Sequence, residues 1–286
     1  MLDEGVTAVT LGLDFNDSVL VPVFDEAEIP IIGGVPAGSD ILFSDNAFFF
    51  QAGLPAVYPG IPVWVAANLP DVKKVAILYS DDPTGTLIAE QNMAPFFEQL
   101  GMQVELFPES AAAADYTPVV SAAMATDPDL ITSTFGNVAC TGYINALNSL
   151  GYEGVRFHSA GCYDAAVFDA VGLDSMEGDY VNFGLYGFYT PEALPEDKQP
   201  ELALFSRAME TYTDTPLAGF PLASFQQIMN IKAIFEEIGP DNLTYEAIIA
   251  LMTDGTVRSS FMAPDWSCDG SAAVAPGVFA PSVCTT

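Results

Sequence analysis

The chain has 286 residues, half of them hydrophobic and only 16% charged, which excludes a disordered chain and allows two domains, each with a core of its own. Against 38 Asp and Glu stand seven Lys and Arg, a formal net charge of −31, so nucleic acid, nucleotides and anionic lipid are disfavoured as partners. With one His and four Cys at no zinc-like spacing there is no metal motif, and the most apolar stretch, 53–69, is broken by Pro55, Pro59 and Pro62, so no membrane span is expected.

In chain order, Val6 to Leu13 reads as a buried strand, followed by a polar turn, Asp14 to Ser18, and an apolar helix from about Val19 to Ala27. Asp17 or Ser18 supplies a good helix N-cap. Ile29 to Gly34 is a second short strand, opening into Val35-Pro36-Ala37-Gly38-Ser39-Asp40. The aromatic-rich segment Phe43 to Tyr58 has no clear period; Gly60 to Asn68 reads as helical after Pro62, and Leu69-Pro70-Asp71 as a domain boundary.

The clearest unit spans Lys73 to Leu106. Val75 to Tyr79 is a five-residue apolar run, Ser80 to Gly85 is polar and turn-rich, and Leu87 to Leu100 has apolar residues at helical spacing before Gly101. This is a β-α-β unit, and its first loop falls at the carboxyl end of a parallel strand, where open α/β sheets place ligands. Thr117 to Ala125 continues as a helix, Asp129 to Phe135 as a strand, and a helix carries Tyr143, Ile144, Leu147 and Leu150 on one face up to Gly151. Val155 to Ala160 and Asp179 to Leu185 are the fourth and fifth strands counted from Val75, the alternation of a doubly wound parallel domain.

From Pro191 to Pro200 the chain is proline-rich and polar, and helices then dominate: Leu202 to Tyr212, Leu222 to Ile238 and Tyr245 to Met252. Phe225, Ile228, Ile231, Phe235 and Ile238 form a packing stripe on the second of these. The tail from Val257 reads as irregular strands with turns at Pro264-Asp265 and Asp269-Gly270.

No catalytic constellation is present: there is no G-x-S-x-G, P-loop or G-x-G-x-x-G, and His158 lies inside an apolar strand, where it reads as a core residue. Carboxylates are too numerous for any pair to be singled out. The acidity reads first as a well-hydrated surface that keeps a secreted protein soluble, with attraction of cationic ligands or adaptation to salt as the other readings. Cys140, Cys162, Cys268 and Cys284 are either two disulfides, which implies an oxidising compartment, or four buried thiols. Met1-Leu2-Asp3-Glu4 lacks the basic start and apolar core of a signal peptide, so the segment reads as processed or cut from a longer chain.

In order and texture the units resemble the type I periplasmic binding proteins, specifically the substrate-binding components of branched-chain amino acid ABC transporters. The resemblance runs over nearly the whole chain and is carried by EIPIIGG at Glu28 to Gly34, KKVAILYSDDPTG at Lys73 to Gly85, FFEQLGMQV at Phe96 to Val104, DPDLITSTFGNVACTGYINALNSLGY at Asp127 to Tyr152, and Ser175-Met176-Glu177-Gly178. It implies an α/β fold of two doubly wound Rossmann-like lobes joined by a three-crossing hinge, with lobe one from 1–70 plus 186–254 and lobe two from 71–185 plus 255–286. The family normally opens with a strand, helix and strand before the segment matching Gly5 to Gly12, so the first lobe is expected to be incomplete.

The resemblance also implies a binding protein without catalysis or cofactor, periplasmic or extracellular, with a lipid anchor on a missing N-terminus as a further option. It would capture a small amino-acid-like solute in an interlobe cleft and hand it to an ABC permease. Family positions that receive the ligand carboxylate on hydroxyls and helix-start amides, and its ammonium on an acid and aromatics, match Asp17, Ser18, Pro36, Ala37, Gly38, Ser39, Thr84, Asn137, Tyr163 and Asp164. Two depart from the pattern: an acid at Asp17 stands where the family offers a hydroxyl, and Thr84 replaces an aromatic. The acid at Asp17 speaks against a standard aliphatic amino acid and leaves room for a different small polar or cationic ligand. In the doubly wound order the third and fourth strands of lobe two are neighbours, which places Cys140 beside Cys162 and leaves Cys268 to pair with Cys284. The alternative readings are the sensor domain of a receptor or amide-type regulator and, less favoured, an α/β hydrolase.

Overall fold

The computed structural model describes residues 5–14, 17–36, 38, 40–136, 138–189, 191–214, 217–275 and 278–284. They form strands β1 (Leu13–Asp14), β2 (Ile31–Ile32), β3 (Val35–Pro36) and β4 (Ala47–Phe48), with helix α1 (Asp17–Glu26) between β1 and β2 and α2 (Leu54–Asn68) after β4. Then come β5 (Lys74–Ser80), α3 (Pro83–Thr86), a π-helical stretch (Leu87–Met93), α4 (Ala94–Gln99), β6 (Gln103–Glu109), α5 (Thr117–Met124), β7 (Leu130–Ser133) and α6 (Val138–Leu150). The remainder is β8 (Val155–His158), α7 (Ala165–Val171), β9 (Tyr180–Val181), α8 (Gln199–Tyr212), α9 (Gly219–Ile238), α10 (Tyr245–Met252), β10 (Arg258–Ser260), β11 (Ala263–Trp266), β12 (Ala273–Ala275) and β13 (Val278–Phe279). Among the described residues no helix is long and apolar enough to cross a membrane.

The chain divides into two compact units: unit 1 comprises 1–57, 184–211 and 221–286, and unit 2 comprises 58–183 and 212–220. It therefore passes between them at four places, where the sequence reading gives three. The tail corrects the expected lobe boundaries, because 255–286 belongs to unit 1 and not to the second lobe. The cause is hydrophobic burial: Trp266, Cys268 and Cys284 pack in one cluster with Ile32, Phe48, Phe50, Ile234, Ile248 and Met252.

Unit 2 holds a five-stranded, all-parallel sheet of order β6-β5-β7-β8-β9. Strand β5 lies between β6 and β7 and is buried from Val75 to Ser80, as the apolar run demands. Gly101 and Gly151 end their helices with φ of 85° and 70°, values that glycine adopts without a Cβ penalty. The helix after β5 is not one α-helix. Pro95 has no N–H to donate to the preceding turn, and the chain widens into π geometry, with the Ala94 amide donating to the Ala89 carbonyl.

In unit 1 the parallel pairing is local. Strand β1 pairs with β3, β2 with β4, and Val9 bridges Ile31, so the expected strands Val6 to Leu13 and Ile29 to Gly34 survive as two-residue ladders and a bridge. Gly33 and Gly34, at φ of 76° and 120°, turn the backbone out of the ladder. Side chains still alternate as a sheet requires: Ile31, Ala47 and Phe49 pack with Val21 and Phe24 of α1, while Ile32, Phe48 and Phe50 face the cluster of α9, α10 and the tail. The tail turn is also displaced from the expected site. Pro264 and Asp265 lie within β11, exposed between buried Ala263 and Trp266, and the chain reverses at Phe261-Met262, Met262 having φ of 51°.

Candidate functional site

In a sheet of this order the strand sequence reverses direction between β5 and β7, and the crevice beyond their carboxyl ends is where open α/β sheets hold ligands. Three loops meet this edge of unit 2: Ser80 to Gly85 after β5, Thr134 to Gly136 after β7, and Ser159 to Asp164 after β8. The outer two are separated by one strand, about 10 Å at the usual inter-strand spacing.

The floor between the β7 and β8 loops is rigid. Cys140 and Cys162 are disulfide-bonded with Cα atoms 5.5 Å apart, as their strand positions predict, and a Cβ on Gly161 would lie 2.8 Å from the Gly136 Cα. The Ser159 hydroxyl donates to the Phe135 carbonyl across the same gap. Below, His158 is a core residue, 1% exposed: its Nε2 lies 2.7 Å from Asp179 Oδ2 and its Nδ1 meets the Tyr143 hydroxyl. Arg156 Nε is 2.6 Å from the other Asp179 oxygen. These groups satisfy one another inside the fold and leave no exposed base.

The loop after β5 is the most specific feature. Asp82, followed by Pro83 in the first turn, is the N-cap of α3: Oδ1 accepts from the amides of Thr84 and Gly85, both at 2.9 Å, and Oδ2 accepts from the Ser80 hydroxyl at 2.5 Å. These bonds, the Ser80 hydroxyl first and then the Gly85 and Thr84 amides, hold the Asp82 carboxyl below the usual aspartate range. Gly85 is required by contact, because a Cβ there would sit 2.2 Å from the Ser80 carbonyl oxygen. The helix-start amides that could receive a ligand carboxylate are thus already occupied by a fixed negative charge. The Asp82-Pro83 step is the sequence signal of this cap within the turn-rich loop.

Of the residues expected to bind ligand, Thr84 sits in this loop with its amide on Asp82. Tyr163 and Asp164 follow β8: the Tyr163 ring stacks on Phe183 at 4.7 Å and meets Phe168 edge-on, and Asp164 caps α7 by accepting from the Ala166 amide at 2.8 Å. The antiparallel bridge of Asp164 to Ala218 and the Gly219 amide on the Tyr163 carbonyl fix this turn. In unit 1, Pro36 is buried at the end of β3, with its carbonyl 2.1 Å from where a Cβ on Gly53 would stand, and Gly38 is half-buried. Asp17 and Ser18 begin the backbone of α1, but their side chains, like Ala37, Ser39 and Asn137, lie outside the described residues. A groove of about 1100 Å³ on the flank of α5, α6 and α7 takes in only Asp164 of the expected residues. Among the described residues no group of acids, Cys and His could hold a metal ion.

Residues 1–281 match a family model described as periplasmic binding protein. This chain belongs to the periplasmic binding protein family. Its fold is of type I, the fold of leucine-binding and related substrate-binding proteins, which are not enzymes. Among solved structures this periplasmic binding protein is similar to a leucine binding protein, LivK, from Thermotoga maritima, at 18% identity over 93% of this chain and 73% of that one, with a TM-score of 0.67. A fatty acid ABC transporter substrate-binding protein from Thermomonospora curvata is 15% identical over 91% and 66%, with a TM-score of 0.70. A solute binding protein of an ABC transporter from Rhodopseudomonas palustris BisB5, in complex with 3,4-dihydroxybenzoic acid, is 17% identical over 93% and 71%, with a TM-score of 0.66. No curated protein matches by sequence.

Proposed function

We propose that this periplasmic binding protein captures a small, amino-acid-like polar solute outside the cytoplasm and delivers it to the permease of an ABC importer. The family match over 1–281 carries the reading. The named ligands of the similar structures, a fatty acid and an aromatic acid beside leucine, leave the solute open at the level of fold, so its chemistry must come from the side chains. Asp82 occupies the amides at the start of α3 with its own charge, Asp164 does the same at α7, and the chain carries −31 overall. A solute carboxylate aimed at either helix start would meet a like charge instead of free N–H groups. A cationic or neutral polar group is favoured there, and Thr84, Tyr163 and Asp164 are its proposed partners in unit 2, with Asp17, Ser18, Pro36, Ala37, Gly38, Ser39 and Asn137 as the remaining proposed contacts.

A thermal-shift panel of amino acids, amides and polyamines tests this, since a ligand stabilises the folded state by about 2.7 kcal/mol at a hundredfold excess over its Kd. At least one amine or neutral polar solute should raise the melting temperature more than leucine does. No shift with any solute of the panel overturns the binding reading, and a preference for leucine overturns the charge argument.

A further inference from the structure

The carboxyl ends of the unit 1 strands hold a polar cluster that the reading above does not use. Gln226 and Gln227 lie on the flank of α9 turned into unit 1, 0% and 5% exposed. A buried primary amide is costly unless both its carbonyl and its NH2 are paired. Gln226 meets that condition: its Nε2 donates to Ser260 Oγ at 3.1 Å and its Oε1 accepts from Gln51 Nε2 at 3.3 Å. Gln227 is held at one end only: its Oε1 accepts from the Thr10 hydroxyl at 3.4 Å, and its Nε2, to which no described residue offers an acceptor, is not a buried orphan and can turn to a partner from solvent.

The cluster stands at the surface end of these strands. Thr10 is exposed and follows Val9, which bridges Ile31; Gly33 directly follows β2; and Gln51, half-buried, lies three residues past β4. A Cβ on Gly33 would come within 3.1 Å of the Gln227 side chain and 3.2 Å of the Thr10 hydroxyl, so the three residues converge on one point. The carboxyl ends of parallel strands are the ligand edge of an α/β sheet. The two bonds that hold the outer groups, at 3.4 and 3.3 Å, are longer than the ordinary 2.9–3.0 Å and are replaceable by a better-placed partner. What the cluster offers is uncharged: a donor on Gln227 Nε2 and an acceptor on Gln51 Oε1, which receives no hydrogen bond among the described residues. An ion set against these groups would lose its water without gaining a counter-charge, whereas a carboxamide brings one carbonyl and one NH2 to match.

We propose that Thr10, Gln51 and Gln227 form a recognition patch for a neutral carboxamide on the solute. The proposal rests on the solute-binding reading and narrows it. Calorimetric titration with 4-aminobutanamide, 4-aminobutanoate and putrescine tests it, because these differ chiefly in carrying an amide, a carboxylate or an ammonium at one end. The amide should bind at least tenfold more tightly than the other two. Gln227→Leu, which keeps the shape of a buried side chain, should erase that preference, and Gln51→Leu, at a half-buried position, should weaken it. Equal affinities for the three solutes, or an unchanged preference in both variants, overturn the patch. If none of the three binds while another solute of the thermal panel does, the patch fails and the binding reading stands; if nothing binds, both fail.

Discussion

In unit 2, β5 and β6 pair residue for residue from Lys74 to Ser80, while in unit 1, β2 and β4 pair over two residues and Phe49 reaches Val283 through a single bridge. Both units bury a parallel sheet core, but they hold it differently. Unit 2 rests on a continuous ladder of backbone hydrogen bonds that fixes register along each strand. Unit 1 rests on side chains: Ile31, Ala47 and Phe49 on one face, and Ile32, Phe48 and Phe50 on the other, clamped by α1, α9, α10 and the disulfide-bonded tail. A short ladder suffices where the packing on both faces is dense, and it makes unit 1 the more sensitive to loss of core volume.

The largest expected effect separates the two directly. Phe49 and Phe97 are both fully buried, one in each unit, and truncating either to Ala should cost about 3–5 kcal/mol. In hydrogen exchange, Phe49→Ala should deprotect 31–48 and leave the amides of Val75 to Tyr79 slow, and Phe97→Ala should deprotect the helix after β5 with the core of β5 itself still protected. Deprotection of β5 by Phe49→Ala would show that unit 1 is no weaker a ladder than unit 2 and end the contrast.

The disulfides sharpen it. Cys140–Cys162 and Cys268–Cys284 span 22 and 16 residues, so chain entropy assigns them nearly equal contributions, about 3 kcal/mol each. The first is redundant with the β7–β8 ladder and the glycine contact beneath it. The second ties a tail whose only regular pairing before it, among the described residues, is β10–β11, and both its cysteines belong to the hydrophobic cluster around Trp266. Denaturant unfolding of the two double Cys→Ser variants should therefore show the larger loss for Cys268/Cys284. Equal losses would mean that packing alone holds the tail.

The same contrast decided what the sequence could tell. The apolar run Val75 to Tyr79, the helical spacing of Tyr143, Ile144 and Leu147, and the stops at Gly101 and Gly151 each have one physical solution, and unit 2 was legible down to the adjacency of β7 and β8 and the Cys140–Cys162 pair. Unit 1 was not, because two-residue strands have no period to read and the tail's place depends on contacts with residues two hundred positions away, such as Phe48 with Trp266 and Cys284. Within the candidate site, Tyr163 and Asp164 are proposed by resemblance alone, and Asp82 escapes a sequence reading because an Asp-Pro turn and a helix cap look alike until the amides are placed. On α9 the packed face runs through Leu222, Gln226, Gln227, Asn230 and Ile234, while Ile228 of the expected packing stripe is 55% exposed, so the apolar period points beside the face that is buried.

The smallest expected effect on stability carries the most about specificity. Replacing Asp82 by Ala removes the partner of the Thr84 and Gly85 amides and should cost about 1 kcal/mol, while Ser, itself a good N-cap, should cost a few tenths. Because the folded Asp82 titrates below the ordinary aspartate value of 3.8, its contribution is fully present above that value and disappears as the pH falls through the lower folded pKa. The gap in melting temperature between the wild type and Asp82→Ala should accordingly be constant from pH 5 upward and close below about pH 4. Asp82→Ser also removes the charge that guards the start of α3, so leucine, whose carboxylate the wild type would repel there, should bind at least tenfold more tightly to the variant in calorimetric titration. An unchanged leucine affinity, with the cap still intact by melting temperature, would show that Asp82 closes this helix start for structure alone and takes no part in choosing the solute.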